Sequence, residues 1–450
     1  MEDMKNFSEM GVRIPEILLP ENLDVESWSV VACDQYTQDR EYWKNVEKAA
    51  ADKPSTLNII LPEVYLNDQD KPERIEKIRR TMKEYLDGGV FGAAEKEFVY
   101  VERKTAYGRV RHGLVCAIDL ETYEWKPFSK ALIRATEATI VERIPPRMEI
   151  RRGAPLELPH IMLLVNDPEH SLVEGTGERV KSGKPLYSGN MMQNSGSISG
   201  WAVKAESDVE YVRGALEKLA AANTAEDGSV FLFAVGDGNH SLATAKAVWD
   251  EYKKEHPEAG DDCDCSVRYA LVEIVNIYDS GLTFEPIHRV LFNVDSEALI
   301  AALAEKLGGT TKDLDSADEL EKAVKDSCAD FGFAYLKGGK QVYTLLSTKI
   351  TDLAVSQLQP ALDEFLKNVS DNVCDENYKI AKPEIDYIHG AAEIFRLGAM
   401  ENATGVLLPP VAKDSFFATI NGRGPLPRKS FSMGEADEKR FYLECRRLFK

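Results

Sequence analysis

Residues 231–253 read FLFAVGDGNHSLATAKAVWDEYK, and their order decides both the fold class and the candidate site. Phe231 to Val235 is apolar throughout, as a strand covered on both faces must be. From Leu242 to Tyr252 the apolar residues recur at helical spacing. Between the two stands Gly236-Asp237-Gly238-Asn239-His240-Ser241. A plain turn needs a single glycine, whereas this one has a pair, with an acid, an amide, an imidazole and a hydroxyl among and after them. Glycine at a strand-to-helix junction permits positive φ and lets a ligand approach the backbone. The first turn of a helix presents unpaired N–H groups and a partial positive charge. Together these make an anion site, commonly for phosphate. The alternative is a capped helix, with Asp237 or Asn239 as the cap.

Around this junction strands and helices mix without strict βαβ alternation, which predicts an α+β fold with a mixed-sheet core. FVYVERKTAYGRVRHGLVCAIDL (98–120) alternates about Gly108 as a hairpin. HIMLLV (160–165) reads as a buried strand, LNIILPEVYL (57–66) as another, and Pro145-Pro146 as a turn. PERIEKIRRTMKEYLD (72–87) and SDVEYVRGALEKLAAANTA (207–225) have the periodicity of amphipathic helices. From Ser296 the character changes to two helices and a hairpin tipped by Gly338-Gly339. The expected division is therefore a core over 1–295, a small additional α/β segment over 296–345, and a C-terminal α/β region over 346–450 that packs back on the core.

The chain has 450 residues, 44% of them hydrophobic, enough for two or three domains. Its 55 basic and 75 acidic residues leave a net charge of −20. Such acidity disfavours a nucleic-acid backbone, which needs clustered Lys and Arg, and an anionic membrane surface. A small phosphorylated ligand needs only a local positive site. The start shows no basic-then-apolar leader, and no run reaches bilayer length. Seven scattered cysteines without such a leader predict reduced thiols and a cytoplasmic protein. Cys263-Asp264-Cys265 has no further Cys or His at metal-ligand spacing and reads as a surface loop. GERVKSGKP (177–185) fails as a Walker loop, because Gly177 stands one residue too far from Gly183-Lys184 and Pro185 replaces the magnesium-binding hydroxyl.

Three other segments put charged or hydroxyl groups at the edge of apolar runs, where a cleft would form. RATEAT (134–139) holds Arg134, Thr136, Glu137 and Thr139. FEPIHRVL (284–291) holds Glu285, His288 and Arg289, and GPLPRKSFSM (424–433) holds Arg428, Lys429 and Ser430. Taken singly, each also reads as a solvated ion pair.

In combination they carry a resemblance. AVGDGNHSLATA (234–245) resembles the DGHHR-x-x-T/A-A signature of the bacterial and archaeal domain-of-unknown-function family 1015, whose members often carry a SpoOJ/ParA/ParB/repB-like label. TEAT (136–139) is similar to that family's HE-x-T, and ERIPPRMEI (142–150) to the arginine segment that follows it. GLTFEPIHRVL (281–291) is similar to its GL-x-x-x-P-x-HR, and GPLPRKSFSM to its closing MP-x-KST-x-F. The motifs run in order over nearly the whole chain. The signature also resembles the wider ParB/sulfiredoxin group, which includes CTP-hydrolysing partition proteins, ATP-using sulfiredoxins and free-serine kinases.

The resemblance implies a ParB/sulfiredoxin-like core with Asp237, Gly238, Asn239 and His240 as the phosphate loop. Three departures matter: Asn239 stands where the family has its first His, Ser241 where it has Arg, and Thr136 where it has the His before Glu137. The missing arginine removes the main phosphate-neutralising charge, so Arg134, Arg289 or Lys429 must supply it, or hydrolysis is weakened. On this reading Gly236, Gly238, Asn239 and Ser241 hold the phosphates of ATP or CTP, and Asp237 holds Mg²⁺. Glu137 is the general base, while His240 and Arg289 stabilise the transferring phosphoryl group. Arg134, Thr136, Thr139, His288 and Lys429 complete the site. The expected activity is phosphoryl transfer to a small polar substrate, or nucleotide hydrolysis. The alternative is a nucleotide or phosphometabolite sensor without turnover. A DNA-partition role sits badly with the charge and with the lack of a helix-turn-helix pattern. Expected partners are a nucleotide or other small molecule and, as an open option, a second copy in a homodimer.

Overall fold

Runs that are apolar at every position need cover on both faces, and the largest sheet supplies it. The computed structural model describes residues 7–259, 265–372 and 382–449. The chain divides into two units, Met1–Leu282 with Gly434–Lys450, and Thr283–Met433.

The first unit holds a ten-stranded mixed sheet. Its strands are β1 (Val12–Arg13), β2 (Phe98–Lys104), β3 (Val110–Asp119), β4 (Tyr123–Glu124), β5 (Ile133–Ala135), β6 (Met162–Val165), β7 (Tyr187–Asn190), β8 (Ser197–Val203), β9 (Phe233–Asp237) and β10 (Tyr269–Asn276). The order is β7-β8-β2-β3-β10-β6-β9-β5-β4, with β1 also paired to β3. Phe98 and Tyr100 of β2 enter one hydrophobic core, and Val99 and Val101 enter a second. The β2–β3 hairpin turns at Gly108, as its alternation predicts.

The helices of eight residues or more in this unit are α1 (Arg40–Ala50), α2 (Lys71–Asp87), α3 (Ile144–Arg151), α4 (Val173–Val180), α5 (Glu206–Ala222) and α6 (Asn239–Glu255). Two local expectations are corrected. Pro145-Pro146 opens α3 instead of a turn, because the first helical turn leaves its N–H groups unpaired and proline lacks one. Residues 57–66 form no strand; they fold as two 3₁₀ turns, Thr56–Ile59 and Glu63–Tyr65, around Pro62, which cannot donate to a ladder. Cys33, Cys116, Cys328 and Cys445 are free thiols. Cys265, in contrast to the expectation of reduced thiols throughout, is in a disulfide. Cys263 and Cys374 lie outside the described residues.

The second unit contains β11 (Phe284–Pro286), β12 (His288–Phe292), β13 (Thr310–Leu314), β14 (Phe331–Lys337), β15 (Lys340–Ser347), β16 (Glu384–Ile388), β17 (Ala403–Leu407) and β18 (Phe431–Met433). Six of them form an antiparallel sheet in the order β13-β15-β14-β17-β12-β16, while β11 pairs with β18. The boundaries expected at 295 and 345 fall inside this unit. The reason is pairing: Gly332 to Tyr335 of β14, from the 296–345 segment, pair with Leu407 to Thr404 of β17. No helix of the described residues is long and apolar enough to cross a membrane.

After the second unit the chain returns to the first and is buried there. Arg440 is ion-paired with Glu273 of β10 and lies 2.5 Å from Glu444. Burial pushes its guanidinium pKa down, but the charges of Glu273 and Glu444 more than reverse this. Trp28 Nε1 donates to the Leu443 carbonyl at 2.8 Å, and Arg111 Nη1 donates to that of Glu438 at 2.6 Å. Gly113 is required opposite Glu273, since a Cβ there would lie 2.2 Å from Oε1.

Two predictions follow from the charges buried in these units. Arg440→Met takes the ion-pair partner from Glu444 and leaves Glu273 only Arg111, 3.7 Å away, and is expected to cost about 3–5 kcal/mol, read as a lowered unfolding temperature. The combination Arg440→Met with Glu273→Gln should cost less than the sum of the two single changes. In the second unit, His288 accepts from the Leu408 N–H at 3.1 Å. Burial, reinforced by the Arg289 charge, lowers its pKa from 6.5 to about 4. The unfolded chain therefore binds a proton that the folded chain refuses between these values, and stability falls as pH drops from 6.5 towards 4. The loss is up to ~3 kcal/mol, and His288→Asn should flatten the acid dependence of unfolding in that window.

Candidate functional site

Strands β5 and β9 are parallel neighbours, with Ile133, Ala135 and the residue between them opposite Phe233, Val235 and Ala234. Parallel pairing brings their carboxyl ends to one sheet edge, so Thr136–Ile140 and Asp237–Ser241 emerge side by side. Between β9 and β6 the register shifts from Val235 opposite Leu163 to Asp237 opposite Met162, which places a bulge at Gly236. Gly238 then starts α6 with φ +79° and offers no side-chain cap. The capped-helix alternative is thereby corrected: neither Asp237 nor Asn239 occupies the cap. A Cβ on Gly238 would lie 3.1 Å from the Ile161 Cα, so both conformation and space demand glycine.

Side chains then bind the two loops together. The Thr136 hydroxyl donates to the Val235 carbonyl at 2.6 Å. The Thr136 N–H donates to Asn239 Oδ1 at 3.2 Å, and Asn239 Nδ2 donates to Thr136 Oγ1 at 3.3 Å. His240 Nε2 accepts from the Ile140 N–H at 3.3 Å. Glu137, half-buried, is thus held between two tethers. The Thr139 hydroxyl oxygen is shut off from solvent and has no hydrogen-bond partner among the described residues. Asp237 Oδ1 accepts from the Gly238 N–H at 3.0 Å, while Oδ2 lies 3.5 Å from Lys439 Nζ.

Ser241 is engaged elsewhere. Its hydroxyl meets His160 Nε2 at 2.6 Å, and His160 Nδ1 meets the Tyr442 hydroxyl at 3.0 Å. The Tyr442 oxygen also accepts from the Cys33 N–H at 3.1 Å. Burial holds the Tyr442 phenol well above its ordinary pKa, so it stays protonated.

The remaining predicted residues are divided between the two units. Arg134 packs 4.4 Å from the Phe231 ring, donates to the Ala131 carbonyl at 2.9 Å, and is held below the ordinary arginine pKa by burial. His288, Arg289 and Lys429 belong to the second unit. Arg289 is fully buried, donates to Gln359 Oε1 at 3.0 Å and stands over the Tyr387 ring. Lys429 is exposed, with φ +59°. Sequence reasoning missed Lys439, His160 and Tyr442. No local motif marks them, because only the return of the C-terminal segment brings Lys439 and Tyr442 to α6. Among the described residues no three His, Cys, Asp or Glu side chains converge on a metal position.

A family model matches residues 17–365, with the description "Protein of unknown function (DUF1015)". The chain belongs to this family. Among curated proteins no sequence matches the chain. Solved structures with some likeness include a free serine kinase in complex with AMP, at 10% identity and a TM-score of 0.35, covering 73% of this chain and 90% of that one. A conserved hypothetical protein from Pyrococcus furiosus has 10% identity and a TM-score of 0.33, with 74% and 95% covered. SbnI from Staphylococcus aureus, truncated at its C-terminus, has 8% identity and a TM-score of 0.34, with 71% and 83% covered. The ParB/sulfiredoxin likeness rests on the sequence signature alone.

The junction geometry is testable directly. Gly238→Ala puts a side chain in the left-handed region against Ile161 and is expected to cost about 1–3 kcal/mol in thermal unfolding. An unchanged unfolding temperature would count against the turn described above.

Proposed function

We propose that the first unit binds the phosphates of a nucleotide at Gly236–Ser241 and transfers a phosphoryl group to a small molecule or to water. The observation that carries this reading is the joining of the two loops by Thr136, Asn239 and His240 at the carboxyl ends of parallel strands. The uncapped start of α6 and the enclosed, unpartnered Thr139 hydroxyl suit a phosphate. Lys439 replaces the charge lost with the family's arginine, from a distant part of the chain. His240, which holds the Thr136–Ile140 loop through Nε2, stabilises charge on the transferring phosphoryl group. Glu137 takes the proton of the attacking hydroxyl or water. Asp237 would hold Mg²⁺, which when bound neutralises phosphate charge. Arg134, His288 and Arg289 serve packing in this proposal, and Lys429 has no part in it.

A sensor without turnover is the second reading. The engagement of Ser241 with His160, where the family motif has an arginine, favours it.

Thermal unfolding against ATP, CTP, GTP, ADP and inorganic phosphate, each with and without Mg²⁺, tests the site. A ligand at a hundred times its Kd adds about 2.7 kcal/mol, and stabilisation by one nucleotide is the expected result. Lys439→Gln should weaken that nucleotide about tenfold. Glu137→Gln should abolish turnover and keep the stabilisation; a sensor has no turnover to lose. No shift with any ligand overturns both readings.

A further inference from the structure

The first turn of α6 also borders a cavity of about 150 Å³ within the first unit. Ile60, Leu61, Met82, Leu156 and Ile161 make its walls hydrocarbon. Leu66, Ile150 and Leu158 line it too and are partly exposed. The uncharged hydrogen-bonding groups of the lining include one chain of side chains, Ser241, His160 and Tyr442.

Charge narrows the occupant. Glu63 and Arg147 line the cavity as an ion pair, and so do Arg151 and Glu157, 2.5 Å apart. Burial raises the Glu63 carboxyl pKa, against the opposing pull of Arg147. Each lining arginine is already matched by a glutamate, so the lining carries no net charge to attract an ion, and a neutral ligand is favoured. Size narrows it further, because a cavity of this volume takes a molecule of about the size of benzene. Hydrocarbon walls disfavour a polyol or sugar, whose further hydroxyls would lose their water without replacement. One hydroxyl is accommodated: a serine hydroxyl has one donor and two acceptor positions, and His160 uses only one of the three.

We propose that this cavity is a binding site for a neutral, benzene-sized alcohol or phenol whose hydroxyl joins the Ser241–His160–Tyr442 chain. Ser241, which stands where the family motif has Arg, thereby serves this cavity. The assignment goes beyond the phosphate-loop reading and does not depend on it.

The probe is phenol, titrated by ligand-observed NMR against the full-length protein, with benzene and benzoate in parallel. Saturable phenol binding is expected, with benzene about five- to tenfold weaker for want of one neutral hydrogen bond. Benzoate should not compete. Ser241→Ala should bring phenol down to the level of benzene. Leu158→Trp should fill the cavity from its wall and remove binding. The proposal is overturned by absence of saturable phenol binding, by benzoate binding more tightly than phenol, or by phenol binding indifferent to Leu158→Trp. The comparison of the three probes needs no variant, so a misfolded mutant cannot rescue it. Nucleotide stabilisation without phenol binding would overturn this inference alone, and phenol binding without any nucleotide shift would overturn only the phosphate-loop reading.

Discussion

The first unit depends on one buried arrangement, the Arg440 guanidinium between the Glu273 and Glu444 carboxylates. Three charges are kept from water here and are tolerable only together, because each alone would carry a large desolvation cost. Glu273 sits on β10 near the middle of the ten-stranded sheet, and Gly113 on β3 leaves room for it. The C-terminal segment is thereby anchored to the sheet centre. Arg446 with Glu157, Trp28 with the Leu443 carbonyl, and Arg111 with the Glu438 carbonyl fix its course on either side. Lys439 and Tyr442 flank Arg440 in sequence, so the anchor also positions both residues that this segment brings to α6.

A second constraint is the parallel pairing of β5 with β9. It makes neighbours of loops a hundred residues apart and gives them one sheet edge. Asn239 exploits this with both ends of its amide, closing a small ring with Thr136. A loop start held in that way, ahead of a helix capped only by glycine, is ordered by its own side chains. The first turn of α6 then has two aspects. Asn239 and His240 engage the Thr136–Ile140 loop, and Ser241 engages His160 and the cavity.

Much was legible in the residues. The mixed α+β class, the β2–β3 hairpin, the buried strand after His160, and the strand–glycine–helix junction all follow from periodicity and turn chemistry, which act over a few residues. Family membership was legible as well, from motifs whose order and spacing survive the departures at 136, 239 and 241. Local reasoning failed where two local rules compete. Pro145-Pro146 suits a turn or a first helical turn, and apolar residues around Pro62 suit a strand or short 3₁₀ turns. Only the neighbours decide such cases.

What the sequence by itself determined was local: which segments form strands and helices, and that Gly236–Ser241 joins one to the other in an uncommon way. The tertiary structure decided which distant groups meet that junction. It brought Lys439 to Asp237, and His160 with Tyr442 to Ser241, and it buried Arg289 in the interior of the second unit. The physical reason is range. Backbone conformation is set by sterics and hydrogen bonds between near neighbours. The meeting of residue 237 with residue 439 is set by strand order and by a buried ion pair, and neither leaves a mark within any short window of sequence.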